Sequence, residues 1–175
     1  MLIGCKKDAS PPLTDAGTEL NVLTDFANVL VNPNYADITA KANVLNIAVQ
    51  NLAANTTDEN LQIARTAWRD TRAPWEQAEG YLFGPVEDFN YDPTLDDWPV
   101  NKVDLDSLLA SDNPLSLGDI EELPTSLKGF HPIEYMLFGI GGSKVAADFT
   151  TREKQYLVSL TQCLYNIVID LKKSW

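Results

Sequence analysis

Apolar residues recur at steps of three and four along most of this sequence, and no stretch alternates apolar and polar residues as a strand would. These stripes predict helices over residues 14–31 and 35–54, and a capping box in residues 56–59 opens a third helix. A second capping box, formed by Thr150 and Glu153, begins a long final helix. The sequence therefore predicts an all-α fold, a helical bundle.

Prolines mark the predicted interruptions of these helices. Asn32-Pro33-Asn34 is expected to separate the first two helices, which would make them antiparallel neighbours. Pro74 is expected to kink the third helix or to restart it near residue 73. Residues 84–99 contain three further prolines and four aspartates, and they predict a long loop with at most one helical turn. Short helices are predicted over residues 101–110 and 115–123.

The composition narrows the classes of partner. The chain has 175 residues, of which 45% are apolar, so it is long enough for one domain with a core. Its net charge of −12 argues against nucleic acid as a partner and favours cations, metals or basic peptides. No apolar run reaches the roughly 18 residues that a membrane-spanning helix needs.

The only histidine of the chain lies in the segment Gly129-Phe130-His131-Pro132-Ile133-Glu134. Pro132 fits the first position of a helix, which predicts His131 as the N-cap, Glu134 as the third helical residue and a helix end near Phe138. An imidazole and a carboxylate at this spacing would be two neighbouring ligands for iron, copper or zinc. A helix cap uses the same spacing, because the glutamate then reaches back to a free backbone N–H.

Two protein ligands are too few for a zinc site, so at least one further donor is required. Glu76 and Glu79 lie one turn apart on the third helix, and we favour Glu76. Asp96 and Asp97 are alternative donors from the acidic loop. This loop lacks the spacing and the central glycine of an EF-hand, so a calcium site is not expected there.

Arg72 allows two interpretations. It would clamp a carboxylate of a ligand or substrate, or it would pair with Glu76 and Glu79 and hold the third helix against its neighbour. We favour the pairing. The nearby aromatic residues are expected to pack in the core, and the glycines to serve turns or close backbone contacts. These residues are Trp68, Trp75, Trp98 and Phe83, and Gly80, Gly84 and Gly129.

Three segments in this order resemble the imelysin-like family, whose hallmark is a Gly-x-His-x-x-Glu motif. The segments are Trp68-x3-Arg72-x-Pro74-Trp75-Glu76-x2-Glu79-Gly80-x2-Phe83-Gly84-Pro85, Asp92-Pro93-x-Leu95-Asp96-x-Trp98-Pro99 and Gly129-x-His131-x2-Glu134. The resemblance implies two packed helical-bundle halves with the histidine motif near the cleft between them. It also implies a link to iron acquisition or to peptidase activity.

This chain is similar to the first half of that family only. Its final apolar stripe continues to Trp175 without a terminating glycine or proline. We therefore expect residues 14–175 to form one bundle half that is truncated at its C-terminus. Such a half would expose apolar surface suited to a second imelysin half or to self-association.

Leu2-Ile3-Gly4-Cys5 resembles the lipobox of bacterial lipoproteins, in which Cys5 would become the lipidated N-terminus. Residues 1–13 are accordingly assigned to a lipobox remnant and a flexible tether. A signal peptide needs an apolar segment before its cleavage site, and only four residues precede Cys5. We expect either that such a segment precedes Met1 in the natural protein or that its start site differs. The predicted location is the bacterial cell envelope, with the anchor in the outer or the cytoplasmic membrane.

The leading functional hypothesis is a lipid-anchored protein that binds a metal ion through His131, Glu134 and Glu76, with Arg72, Glu79 and Gly129 in support. The ion would be iron, with zinc as the alternative, and the role would be metal uptake with a transport partner. A metallopeptidase with Glu134 as general base is the first alternative. No second histidine and no His-Glu-x-x-His motif is present, so we lean towards a protein that is not an enzyme. The second alternative is a helical scaffold whose motif is only a cap.

Overall fold

The computed structural model of the protein describes residues 16–175, so the predicted lipidation site Cys5 and the tether of residues 1–13 lie outside the described residues. The described chain consists of helices and contains no strand, which confirms the all-α prediction. The helices are α1 (Ala16–Asp25), α2 (Asn32–Ala54), α3 (Asp58–Gln77), α4 (Pro85–Asp88), α5 (Tyr91–Asp96), α6 (Lys102–Ala110), α7 (Leu117–Glu121), α8 (Phe130–Phe138) and α9 (Thr151–Ser174).

Three long helices, α2, α3 and α9, form the centre of the bundle, and the short α8 packs against both α3 and α9. Their contact faces meet in one core, in which Leu45 of α2, Trp75 of α3, Phe130 of α8 and Tyr156 of α9 are fully buried. Burial of such side chains is the main stabilising contribution, at roughly 25 cal/mol per Å² of apolar surface. The helices α3 and α8 are therefore held firmly against each other.

Both predicted capping segments begin helices, but only the second forms the predicted capping box. The backbone N–H of Glu153 donates to Thr150 Oγ1 at 3.1 Å, and the backbone N–H of Thr150 donates to the Glu153 carboxylate at 2.7 Å. At α3 the cap is Thr57, whose hydroxyl accepts a bond from the N–H of Asn60 at 3.2 Å. These bonds satisfy N–H groups that have no partner within the helix.

The predicted break at Asn32-Pro33-Asn34 is wrong. Residues Phe26–Val31 form a π-helical segment that joins α1 directly to α2, so the two are not antiparallel neighbours. The N–H of Asn32 bonds to the carbonyl of Ala27, five residues earlier, and Pro33 follows at the start of α2, where a missing N–H costs little. No residue of α1 is buried. The expected exposed apolar surface is present on it, at Leu20, Val22 and Leu23.

Two further boundaries differ from the prediction. Pro74 lies inside α3, which continues to Gln77, so the predicted restart near residue 73 is wrong. Asn34 Nδ2 donates to the Pro74 carbonyl at 3.0 Å, which ties this turn to α2. The predicted loop over residues 84–99 contains α4 and α5, so it is more helical than expected. No helix in the described range is long and apolar enough to cross a membrane.

Candidate metal centre

His131 and Glu134 lie one turn apart on α8 and contact each other. The helix begins at Phe130 after Gly129, so the prediction of His131 as N-cap and Pro132 as first helical residue is wrong. No side chain caps α8. The Glu134 carboxylate turns to the histidine instead, with Oε2 at 3.2 Å from Nδ1. The interpretation of this motif as a helix cap therefore fails.

Gly129 allows the start of α8 to lie directly on the backbone of α5. Its φ is +90°, in the left-handed region that favours glycine. A Cβ at this position would lie 2.7 Å from the carbonyl carbon of Leu95, and closer still to its oxygen. Because Leu95 precedes Asp96, this close approach brings the Asp96 carboxylate to His131.

Asp96 is the acidic residue that the fold places against the histidine. Its Oδ1 lies 3.0 Å from His131 Nε2 and also pairs with the Arg72 guanidinium, while its Oδ2 accepts a hydrogen bond from Trp75 Nε1 at 2.7 Å. Burial alone would raise the pKa of Asp96, but the hydrogen bonds from His131, Arg72 and Trp75 prevail and lower it. Asp96 is therefore ionised at neutral pH.

His131 is held between two carboxylates. Its hydrogen bond with Asp96 is the largest influence on the pKa of His131 and raises it; burial lowers it, and the bond with Glu134 raises it again. A carboxylate on one ring nitrogen fixes the tautomer of a histidine and aims the other nitrogen, as in many metal sites. Here Asp96 occupies Nε2, which leaves Nδ1 and Glu134 as a pair of potential ligands.

Arg72 forms an ion pair with Glu76, which is part of the pairing that the sequence analysis favoured over a ligand clamp. Its Nε lies 2.5 Å from Glu76 Oε1, and its guanidinium lies 5.2 Å from the centre of the Phe130 ring. Glu76 is half exposed, and among the described residues no ion pair joins it to His131. The structure thus brings Asp96, and not Glu76, to the histidine. The other loop candidate, Asp97, accepts a bond from Thr125 Oγ1 at 2.5 Å and points elsewhere.

Asp96 also belongs to a second group of acids. Carboxylate oxygens of Glu79, Asp92 and Asp96 all lie within 4.8 Å of one another, which in residues 16–175 is the one group of three potential ligands this close. Burial, and then repulsion by neighbouring carboxylates, raises the pKa of both Glu79 and Asp92. Arg72 already neutralises Asp96, and its positive charge opposes a cation at this group.

A cleft of about 560 Å³ opens beside His131 and Glu134. Its walls are mainly apolar and aromatic, and they include Trp98, Tyr135, Phe138 and the glycine-rich segment 139–142. Trp98 is 68% exposed and its ring centre lies 4.7 Å from that of His131. The prediction that Trp98 and Phe83 pack in the core is wrong, whereas Trp68 and Trp75 are buried as predicted.

Buried Arg65 holds one wall of this cleft in place. Its Nε donates to the Leu137 carbonyl at 3.0 Å and its second amino group donates to the Lys144 carbonyl at 2.6 Å. These bonds clamp the two ends of the glycine-rich turn that follows α8. The sequence analysis missed Arg65, which does not itself line the cleft, and Lys102, which does. The sequence does carry one signal for Arg65: it is a positively charged residue on the apolar face of α3.

Comparisons with known proteins agree with this architecture. The imelysin family model matches residues 31–175. Iron-regulated protein A of Synechococcus elongatus is 33% identical over 150 residues, which cover 86% of this chain and 38% of that protein. A structure described as an iron-regulated protein A precursor from Parabacteroides distasonis is 29% identical, with a TM-score of 0.85 over 96% of this chain and 47% of that chain.

A more distant structure supports the fold alone. The imelysin-like protein of Psychrobacter arcticus is 23% identical, with a TM-score of 0.79 over 93% of this chain and 51% of that chain. The present chain thus spans about half the length of these two structures and less of the Synechococcus protein.

Proposed function

This chain belongs to the imelysin family, and we propose that it binds iron through His131 and Glu134 and acts in iron uptake at the bacterial cell envelope. One observation carries the proposal: Nδ1 of His131 and Oε2 of Glu134 face each other at 3.2 Å. Two donors of one metal ion are about 3 Å apart when each metal bond is about 2.1 Å long. The pair therefore suits a single ion with little rearrangement.

The surrounding residues support this assignment. In the metal-free protein a proton shared between Nδ1 and Glu134 satisfies both groups, and iron would replace that proton. Asp96 would keep its bond to Nε2–H and so hold the imidazole in the tautomer that binds metal. Arg72 and Trp75 in turn hold Asp96. His131 and Glu134 would bind the ion, and Asp96 would position the histidine.

Iron is preferred over zinc for two reasons. A nitrogen and an oxygen donor with open positions suit iron, whereas zinc sites use at least three protein ligands. Two of the three relatives described above carry the name iron-regulated protein A. The remaining ligands would be water, a carried molecule or groups from the rest of a longer protein.

Equilibrium dialysis of the purified chain with Fe²⁺ under anaerobic conditions tests the proposal. We expect roughly stoichiometric binding that is lost in His131→Ala and strongly weakened in Glu134→Gln. Glu122→Gln is the matched control, because it removes an exposed carboxylate that does not line the cleft. Binding that survives His131→Ala but not Asp92→Asn would assign the ion to the acidic group around Asp92 and overturn the proposal.

The envelope location rests on the lipobox-like segment at Cys5. We expect the natural precursor, expressed in a bacterium, to partition into the detergent phase with the membrane proteins. A Cys5→Ser precursor should remain in the aqueous phase, because it lacks the thiol that receives the lipid. Equal partitioning of the two precursors would refute a lipid anchor.

A further inference from the structure

The cleft beside His131 and Glu134 is much larger than a metal ion requires. Its volume of about 560 Å³ lies within the range of roughly 300–1,000 Å³ that small-molecule sites occupy. A water molecule fills only about 30 Å³, so an ion with its remaining waters would leave most of the cleft empty. Its aromatic walls also offer few groups that could bind those waters.

The walls of the cleft include a lysine without an acidic partner. Lys102 lies at the start of α6, and its Nζ is 5.5 Å from the centre of the Tyr135 ring. In the described part of the chain no carboxylate lies within ion-pair distance of this ammonium group. In a chain with a net charge of −12, an unpaired cation in the cleft favours an anionic ligand group at this point.

Trp98 forms the exposed side of the same cleft. It is 68% exposed, although its ring lies against His131. A large aromatic face that is left open next to the histidine offers a stacking surface for a planar ring. Tyr135 and Phe138 of α8, the helix that also carries His131, extend this aromatic lining.

We propose that the chain takes its metal as a complex with a small aromatic chelator that carries a negative charge. The inference rests on the proposed iron site: His131 and Glu134 would bind the ion, and the chelator would supply further oxygen ligands. Its ring would lie in the cleft against Trp98, and its anionic group would meet Lys102. This ligand class accounts for the size, the aromatic lining and the unpaired charge of the cleft.

The test compares two ferric complexes in equilibrium dialysis, one with 2,3-dihydroxybenzoate, which is aromatic and anionic, and one with citrate, which is anionic but not aromatic. We expect the wild-type chain to bind the dihydroxybenzoate complex about tenfold more tightly than the citrate complex. Lys102→Met should weaken binding of the dihydroxybenzoate complex about tenfold and leave Fe²⁺ binding unchanged. Lys172→Met, which changes an exposed lysine outside the cleft, should match wild type.

Trp98→Leu is the second variant in this test. Because Trp98 is exposed, the variant should fold normally and should lose the preference for the aromatic complex. Equal affinity for the two complexes, or an unchanged affinity in Lys102→Met, would overturn this inference while His131-dependent Fe²⁺ binding still stood. Absence of any His131-dependent Fe²⁺ binding would overturn the proposed iron site and this inference with it.

Discussion

Nε2 of His131 lies 3.0 Å from Oδ1 of Asp96, which joins the first turn of α8 to the last residue of α5. The pair is mostly buried, with 17% of the histidine side chain and 9% of the aspartate side chain exposed. An ionised carboxylate at this distance favours the protonated imidazole. The protonation state of the only histidine in the chain therefore depends on a residue from another helix.

Asp96→Asn should lower the pKa of His131 in the metal-free protein. The wild-type pKa is expected above its ordinary value of 6.5, because the bond to Asp96 is its largest upward influence. NMR titration of the imidazole resonances measures it without ambiguity, since no other histidine is present. Asp97→Asn is the control, because Asp97 bonds to Thr125 instead. Equal pKa values in wild type and Asp96→Asn would contradict the structure.

The stability of the metal-free protein should depend on pH through the same pair. The pKa of His131 is raised in the folded state, so its stabilising contribution is fully present below the unfolded value and is lost as pH rises through the folded value. The pKa of Asp96 is lowered, so its contribution is lost only as pH falls through that lower value.

Urea unfolding of wild type and His131→Gln measures this dependence. The difference between their free energies of unfolding should be larger near about pH 5.5 than near about pH 8.5, because only wild type carries the charged imidazole at the lower pH. Groups that titrate in both proteins cancel in this difference. A difference that stays constant over this range would show that His131 gains no charged partner on folding.

Gly129→Ala should destabilise the protein by about 2 kcal/mol or more, because it combines a positive φ with a steric clash. The added Cβ would meet the Leu95 carbonyl, which cannot move without shifting Asp96. Gly80→Ala is the matched control, since nothing lies within 4 Å of its added Cβ and its φ is not positive. Denaturant unfolding should leave this control within about 1 kcal/mol of wild type.

Leu45→Ala and Leu23→Ala should differ strongly in their effect on the free energy of unfolding, although both substitutions remove the same atoms. Leu45 is fully buried in α2, so its truncation should cost about 2–5 kcal/mol. Leu23 on α1 is 65% exposed, and its truncation should change the free energy of unfolding by less than about 0.5 kcal/mol. A large loss in Leu23→Ala would mean that α1 packs against a surface in solution.

Sequence patterns predicted the helices whose signals are local. Thr150 and Glu153 lie three residues apart and form their capping box within one turn, so the start of α9 could be predicted. The helix break predicted at Pro33 is wrong, because a proline interrupts a helix only where its missing N–H removes a helical hydrogen bond. The preceding π-helical segment changes the bonding pattern before Pro33, and no local signal distinguishes that outcome from a turn.

The candidate site was predictable only where its residues are neighbours in sequence. The spacing of His131 and Glu134 placed both on one helical face, and the structure brings them together. Asp96 lies 35 positions before His131, and its place beside the histidine depends on the backbone contact between Gly129 and Leu95. Such a contact between distant segments leaves no periodic pattern. Glu76 was the favoured third donor, but Arg72 on the same helix pairs with it.

The π-helical segment Phe26–Val31 also sets the direction in which α1 faces. A π-helical turn holds about one residue more than an α-helical turn, so deletion of one residue there would restore regular α-helical bonding with little rotation of α1 about the helix axis. Leu20 and Leu23 would keep the side of the molecule that they face. The same deletion within the regular part of α1 would instead turn every helical residue before it by about 100°. The direction of the N-terminal arm is therefore less sensitive to the loss of one residue in this segment than to the same loss in α1.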